Sequence, residues 1–293
     1  MPLEKLGRSG PRRFPPLAFH AALRRASGGA VVAAMLGLMA QGAGAIVADE
    51  SVGGQAPAAL PVAASFKPGD ELQRLQFIGR AQPETATVEL LRYAGTLHDD
   101  DPRWLEAMLE VGSQHVRLNQ GDQVEQVAAR IESLSDHLAL ARPAAMLLRG
   151  QWLQTHGEVS KAERQLIEAS ALLPATPPDY LRLRLLMSSA FVKNRGGHYD
   201  EAMMRYNQAL KLADETGSIW RRIDLRALIA NVLLDAGQPD KAAEIAREQM
   251  RLANESSDEF GISAAYTTRA IQLSRSNTGD TVLADWRAAL EHA

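Results

Sequence analysis

A step of forty residues recurs through the second half of this chain and limits what the chain can fold into. Turn-forming residues repeat at that step, at Gly157, Gly197, Gly237 and Asn277. Small residues repeat in the same register, at Gly150, Ala190, Ala230 and Ala270. Repeats of this length are typical of stacked supersecondary units, each of which buries its apolar face against its neighbours.

Each repeated residue type has a role in a helix, turn, helix unit. Gly or Asn takes positive φ at little cost and therefore ends a helix. Side-chain oxygens are expected to cap the next helix three residues later, at Ser160, Asp200, Asp240 and Asp280. Small residues then allow two antiparallel helices to approach closely, at Ala162, Ala202, Ala242 and Val282. One apolar stripe per helix completes the pattern, as in Leu225, Leu228, Ile229 and Val232.

One segment resembles the tetratricopeptide repeat family. Its residues are Gly197-His198-Tyr199-Asp200-Glu201-Ala202, continued by Tyr206, Ala209, Leu210 and Leu212. The resemblance extends over 139–293 as four repeats and implies an all-α fold, a right-handed α-solenoid of antiparallel helix pairs. The usual period in this family is about 34 residues. A period of 40 therefore indicates a long-helix variant of the tetratricopeptide superhelix.

Residues 70–138 are predicted to form degenerate helical pairs that cap the N-terminal end of the array. Four apolar stripes indicate four helices, carried in turn by Leu72, Leu75 and Ile78; by Val88 and Leu91; by Trp104, Leu105, Met108 and Leu109; and by Val124, Val127, Ala128 and Ile131. Asp101 followed by Pro102 is typical of a helix start, with Asp101 as its cap. The turn at 119–121 separates the last two helices.

Residues 1–45 have the order of a secretory signal peptide. Six basic residues precede an uncharged stretch over 28–48, whose apolar centre at 30–40 is followed by Ala43-Gly44-Ala45. That centre is about half of the roughly 20 residues that a spanning helix needs. We therefore expect cleavage near Ala45 and a periplasmic or secreted protein, with an uncleaved anchor over 28–48 as the alternative. Residues 46–69, rich in Ala, Pro, Gly and Val, are expected to form a flexible linker.

The charge balance argues against a nucleic-acid partner. The first 45 residues hold six of the 32 basic residues and one of the 35 acidic ones, which leaves 26 against 34 and a net charge of −8. Nucleic-acid binders usually have the opposite sign. After position 48 no stretch approaches a membrane span, and the absence of cysteine excludes disulfides and thiol catalysis.

Residues that would indicate catalysis or a cofactor are sparse. The seven histidines include no pair at helical spacing and no HExxH motif, so no metal site is expected. The run from His98 to Pro102 offers carboxylates to a hard cation, but the helix cap at Asp101 explains it better. Ser135, Asp136 and His137 are consecutive and cannot form a hydrolase triad. We therefore expect no enzyme and no cofactor.

The predicted function is that of a protein-protein interaction scaffold or adaptor. In stacked helical pairs the first helices line a concave groove, which commonly binds a peptide or a partner's helix. The register places seven candidate groove residues there, namely Arg184, Phe191, Asn194, Arg195, Asn231, Asp235 and Arg275, and it adds Gln151 and Asp224 to the same lining.

The final predicted helix gives a second expectation. Trp286 and Leu290 lie on a helix with no following repeat, so we expect that a partner or a second copy covers it or that the sequence is cut from a longer protein. Exported regions of this kind also resemble the sensor halves of membrane-bound diguanylate cyclases and histidine kinases. The alternative function is therefore a periplasmic sensor half whose output domain is missing.

Overall fold

The computed structural model describes residue 66, residues 70–275 and residues 279–292. Three predicted features lie outside the described residues. They are the signal peptide over 1–45, the linker over 46–69 apart from Phe66, and the turn residue Asn277. The described part contains twelve α-helices and no strand: α1 (Glu71–Ile78), α2 (Pro83–Ala94), α3 (Pro102–Arg117), α4 (Gly121–Glu132), α5 (Ala141–Thr155), α6 (Val159–Ala171), α7 (Asp179–Arg195), α8 (Tyr199–Glu215), α9 (Ile219–Asp235), α10 (Pro239–Glu255), α11 (Glu259–Arg275) and α12 (Gly279–Glu291).

The helices form two layers. Each even-numbered helix from α2 to α10 packs on the odd-numbered helix before it and on the one after it. Odd-numbered helices also contact one another directly, α1 with α3, α3 with α5, α5 with α7, and α9 with α11. The odd-numbered helices therefore form the inner layer. This arrangement confirms the prediction of an all-α helical-repeat solenoid.

Glycines at the predicted turns hold the backbone conformation that the sequence pattern requires. Gly157, Gly197 and Gly237 have φ of 78°, 78° and 72°. At Gly197 the chain reverses so tightly that the amide of His198 donates to the carbonyl of Lys193 at 2.9 Å. This 6→1 bond is the Schellman motif, which satisfies a carbonyl left unpaired at the end of a helix.

The predicted capping role of the residue three positions after the turn is wrong at Gly157, Gly197 and Gly237. The residues at the N-cap are Glu158, His198 and Gln238, and none of them makes a side-chain capping bond. Because the Schellman turn is so short, the next helix begins two residues after the glycine. Asp200 is therefore already the second helical residue, where a carboxylate interacts favourably with the helix dipole rather than capping the helix.

Small residues lie where paired helices cross. Ala190, Ala230, Ala202 and Ala242 are all buried. A Cβ added at Gly150 would lie 2.9 Å from Leu166 Cδ2 on α6, closer than real Cβ contacts allow. Tyr206, on α8, is fully buried. The repeat pattern therefore encodes the distance between the two helices of a pair.

The four helices predicted over 70–138 are present as α1 to α4. Asp101 caps α3, as predicted, by accepting a hydrogen bond from the backbone amide of Arg103 at 2.8 Å. The apolar stripe predicted for α2 is wrong, because Val88 is 58% exposed and Leu91 is also exposed. The face that α2 buries lies on a different side of the helix and consists of Pro83, Ala86, Thr87, Leu90 and Ala94.

Among the described helices, none combines the length and the apolar character that crossing a membrane requires.

Candidate binding surface on the inner face

A row of hydrogen-bonding side chains runs across the inner layer from α3 to α7. The hydroxyl of Ser113 on α3 lies 3.1 Å from Gln151 Oε1 on α5. The amide nitrogen of Gln151 lies 3.4 Å from Ser188 Oγ on α7. The register of the repeat predicts Gln151 on this face. The row gives the concave side of the solenoid a polar surface between apolar helix contacts.

Arg184 spans the inner face from α7 to α3. Its guanidinium forms an ion pair with Glu110 and donates to Ser113 Oγ at 2.7 Å, although α5 lies between the two helices in sequence. Gln114 donates to the same Glu110 carboxylate. A charge-assisted bond of this kind is among the stronger contacts in a protein. Arg184, a predicted groove residue, is therefore a buried internal contact.

The turn between α1 and α2 reaches across the solenoid to α9 and α11. Arg80 in this turn is 4% exposed. Its guanidinium lies 2.6 Å from Asp224 on α9 and 2.7 Å from Asp258, the residue before α11. We call this group of three side chains the Arg80 clasp. It joins the first helix pair to the fifth and sixth pairs.

Aromatic rings surround the Arg80 guanidinium. The centroids of Phe77, Trp220 and Phe260 lie 5.3, 5.6 and 4.8 Å from its central carbon. Rings at this distance attract a cation through their quadrupole. Burial alone would lower the pKa of Arg80, but the carboxylates of Asp224 and Asp258 outweigh burial and raise it. The guanidinium therefore stays charged inside the protein.

Arg221 lies beside the clasp on α9. Its guanidinium donates to Gln76 Oε1 at 2.9 Å, and the amide of Gln76 donates to Glu106 on α3 at 2.8 Å. The central carbon of the Arg221 guanidinium also lies 4.3 Å from the ring centroid of Trp220. Burial and the nearby positive charge of Arg184 lower the pKa of Arg221 to about 10.

Arg117, the last residue of α3, belongs to the same surface. Its side chain is exposed to solvent. Nearby protein atoms displace part of its hydration, and this effect, together with the positive charges of Arg80 and Arg184, lowers its pKa.

The predicted groove residues fall at two different places. Arg184 precedes Asn194 by ten positions on α7, which corresponds to roughly 15 Å along the helix. At the far end, Asn194 donates to Asp235 on α9 at 3.0 Å. Of the other predicted groove residues, Phe191 and Asn231 are partly buried and Arg195 is exposed. The side chain of Arg275 lies outside the part that the structure describes.

Sequence reasoning missed Arg80, Gln76 and Glu110. The Arg80 to Asp258 contact joins residues 178 positions apart, and the Arg184 to Glu110 contact joins residues 74 positions apart. A charged residue on the apolar side of a predicted inner helix would have indicated an internal contact. Only Glu110 of these three could have been found in this way, because it is buried on α3 among apolar residues.

Within the described residues no group of three or more histidine or acidic side chains is arranged to hold a metal ion. The inner face instead carries hydrogen-bond donors and acceptors supplied by α3, α5, α7 and α9.

No protein-family model matches the sequence, and no curated protein sequence matches it. Solved structures of similar fold include the apo form of RapI, with a TM-score of 0.51 and 14% sequence identity, over 76% of this chain and 64% of that one. A Rap protein complexed with competence and sporulation factor has a TM-score of 0.54 and 16% identity, over 77% of this chain and 66% of that one. This chain thus spans slightly less than two thirds of the length of each. At these identities the likeness establishes the fold, a tetratricopeptide-like helical-repeat solenoid.

Proposed function

We propose that this chain is an exported, non-catalytic scaffold of the long-helix tetratricopeptide type, which binds a protein or peptide segment on its inner face. One observation carries the proposal. The inner helices present polar and charged side chains toward a shared concave space, and solvent reaches some of them, such as Arg117. A Rap protein of similar fold forms a complex with competence and sporulation factor, which supports a binding role.

The dimensions of the inner helices set the length of the bound segment. α7 and α9 each have 17 residues, which corresponds to roughly 25 Å. An extended segment of about seven residues covers that distance. We therefore expect the ligand to be a stretch of about seven residues rather than a folded domain.

The binding proposal is tested by selecting peptides on the immobilised full chain from a library of randomised heptapeptides. We expect a reproducible set of enriched peptides that bind the protein in solution. A matched pair of variants tests the inner face, with Asn231→Arg on α9 and Met204→Arg on the outer face of α8, where Met204 is exposed. Asn231→Arg should weaken binding and Met204→Arg should not. Equal binding by both variants would refute the assignment of the inner face.

Export is the second part of the proposal and rests on the order of charges and apolar residues in 1–45. Residues 1–65 are fused to a reporter enzyme that becomes active only outside the cytoplasm. We expect activity, and we expect it to be lost when Leu36 and Leu38 in the apolar centre are both changed to Arg. Mass spectrometry of the exported protein separates the two alternatives for the leader. A chain that begins near Ile46 supports a cleaved signal peptide, and an intact leader supports an anchor.

A further inference from the structure

The interface between α10 and α11 contains a cavity of about 380 Å³. Three alanines form much of its apolar wall, Ala243 and Ala246 from α10 and Ala265 from α11, with Met250 beside them. Ala246 and Ala265 are buried, so the cavity extends into the packed interior of the array. Protein interiors are close-packed and hold few spaces larger than a water molecule. A space of this size between two helices therefore departs from ordinary packing.

The repeat register shows why the cavity is present. Forty residues earlier, the interface between α8 and α9 carries large apolar side chains at the same positions. Three pairs of equivalent positions differ in this way, namely Met203 and Ala243, Tyr206 and Ala246, and Leu225 and Ala265. Tyr206 and Leu225 are fully buried in the core that α7, α8 and α9 share. The cavity therefore corresponds to space that an aromatic ring and two other apolar side chains fill in the preceding interface.

The charged side chains at the cavity favour an anion. Arg247 on α10 lines the cavity, is exposed to solvent and makes no ion pair among the described residues. Arg269 on α11 also lines it, but its Nε already donates to Asp285 Oδ2 on α12 at 2.7 Å. The described residues that line the cavity include no acidic side chain. A carboxylate that enters the cavity can therefore pair with Arg247 without displacing a carboxylate of the protein.

The volume of the cavity sets the size of the ligand. An apolar cavity of about 150 Å³ binds one benzene molecule. A cavity of about 380 Å³ is therefore large enough for two fused aromatic rings. Sites for small molecules are mostly apolar and carry a few polar groups that fix the orientation of the ligand. This cavity has both features, an apolar wall and the unpaired guanidinium of Arg247.

From these observations we propose that the cavity between α10 and α11 binds a small aromatic carboxylate. Its rings pack against the three alanines, and its carboxylate accepts paired hydrogen bonds from the Arg247 guanidinium. A free aromatic acid fits the cavity better than an aromatic residue of a partner protein, because the side chains of Trp, Tyr and Phe carry no acidic group beside the ring.

The site is separate from the proposed peptide-binding surface. The inner-face positions of α11 are Ala264 and Ile271, which follow Asp224 and Asn231 by forty residues. Arg269 lies five positions after Ala264 and two before Ile271, which is about 140° or more around the helix from both. The inference therefore goes beyond the proposed function and is tested without a peptide.

The probe is naphthalene-2-carboxylate, measured by isothermal titration calorimetry against the full chain. Two comparison compounds separate the rings from the charge, namely naphthalene-2-carboxamide, which is neutral, and acetate, which has no ring. We expect the carboxylate to bind with a dissociation constant of roughly 1 mM or tighter. Both comparison compounds should bind roughly tenfold more weakly or worse.

Two variants fill the cavity. Ala246→Tyr introduces the residue that α8 carries at the equivalent position, and the pairs that contain α8 and α10 have the same small residue at their crossing, Ala190 and Ala230. We therefore expect this variant to fold, with a melting temperature equal to or above that of the wild type, and to lose binding of naphthalene-2-carboxylate. Ala243→Met fills a smaller part of the same space and should weaken binding without abolishing it.

The role of the charge is tested with Arg247→Met, against Arg164→Met as a matched control. Arg164 is exposed on α6 in the outer layer and makes no ion pair among the described residues. Arg247→Met should bind the carboxylate roughly tenfold more weakly or worse, and should bind the neutral amide as the wild type does. Arg164→Met should bind both compounds as the wild type does.

Three results would overturn the proposal. A wild type that gives no heat of binding with the carboxylate at roughly ten times the expected dissociation constant has no such site. Binding that is unchanged in both cavity-filling variants would place the compound elsewhere on the protein. Equal affinities of Arg247→Met and Arg164→Met for the carboxylate would show that Arg247 does not receive the anion.

Discussion

Replacing Arg80 with Met tests whether the clasp holds the solenoid closed. The change keeps an apolar stem but leaves the carboxylates of Asp224 and Asp258 without their cation. Asp258 is 2% exposed, so its charge cannot be rehydrated without opening the structure. Breaking a buried pair by removing one partner costs about 3–5 kcal/mol. We expect Arg80→Met to lower the free energy of unfolding by about that amount.

The assay combines urea denaturation, followed by circular dichroism, with hydrogen exchange measured by mass spectrometry. Exchange is needed because solenoids can open in part. In Arg80→Met the amides of α1 and of the first turns of α9 and α11 should exchange faster than in the wild type. A matched surface control is Arg92→Met, which removes an exposed ion pair with Glu89. That variant should cost less than about 1 kcal/mol.

A triple variant separates lost charge compensation from lost packing. In Arg80→Met, Asp224→Asn, Asp258→Asn no buried charge is left unpaired. The Asp258 carboxylate accepts a hydrogen bond from the backbone amide of Gly261, and the side-chain amide oxygen that replaces it can accept the same bond. We therefore expect the triple variant to recover most of the stability. If Arg80→Met is as stable as Arg92→Met, the clasp does not stabilise the fold. If the triple variant is as unstable as Arg80→Met, unpaired buried charge is not the cause of the loss.

Three further substitutions test the packing. Gly112→Val should destabilise the protein by about 1–3 kcal/mol in urea denaturation, because a Cβ at Gly112 would already overlap Leu148 of α5. Leu90→Ala should cost about 2–5 kcal/mol, since Leu90 is fully buried on α2. Val88→Ala on the exposed face of α2 should change stability by less than about 0.5 kcal/mol. A larger loss of stability in Val88→Ala than in Leu90→Ala would contradict the buried face assigned to α2. Leu290, 77% exposed on α12, is the expected contact for self-association, so Leu290→Glu should shift sedimentation toward the monomer; a wild type that is already monomeric would rule this out.

The local structure of the solenoid was predictable because its causes are local. A glycine that takes positive φ and an alanine at a helix crossing act on their own pair of helices. Both recur with the repeat, so Gly197 and Ala202 each had counterparts that supported the same interpretation. The helix starts were less accurate, since Schellman hydrogen bonds at each turn decide whether Asp200 lies before the helix or inside it.

The buried face of α2 could not be chosen from spacing alone. Ala86, Leu90 and Ala94 lie on one side of the helix, and Val88 with Leu91 on another. Both sets have helical periodicity. Large apolar side chains favoured the second set, but the buried set contains two alanines, Ala86 and Ala94, beside Leu90. Which face of α2 is buried depends on how near the adjacent helix lies. The sequence of α2 alone does not contain that distance.

The inner network was beyond sequence reasoning for a different reason. Whether Arg80 reaches Asp258 depends on the accumulated rotation of the intervening helix pairs, and a small change in each pair would move the two residues far apart. The register does predict that Asp224 and Gln151 line the inner face. It does not predict which charges meet across that face.

The Arg80 clasp changes how stability and binding are connected in this fold. In an open solenoid each repeat touches only its neighbours, so stability is close to a sum of local terms. A contact between the first pair and the fifth and sixth pairs couples the repeats and limits changes in the curvature of the array. The spacing of the inner helices depends on that curvature. A peptide that contacts several inner helices therefore meets a preorganised surface and loses less free energy to ordering, so Arg80→Met should weaken peptide binding although Arg80 is itself buried.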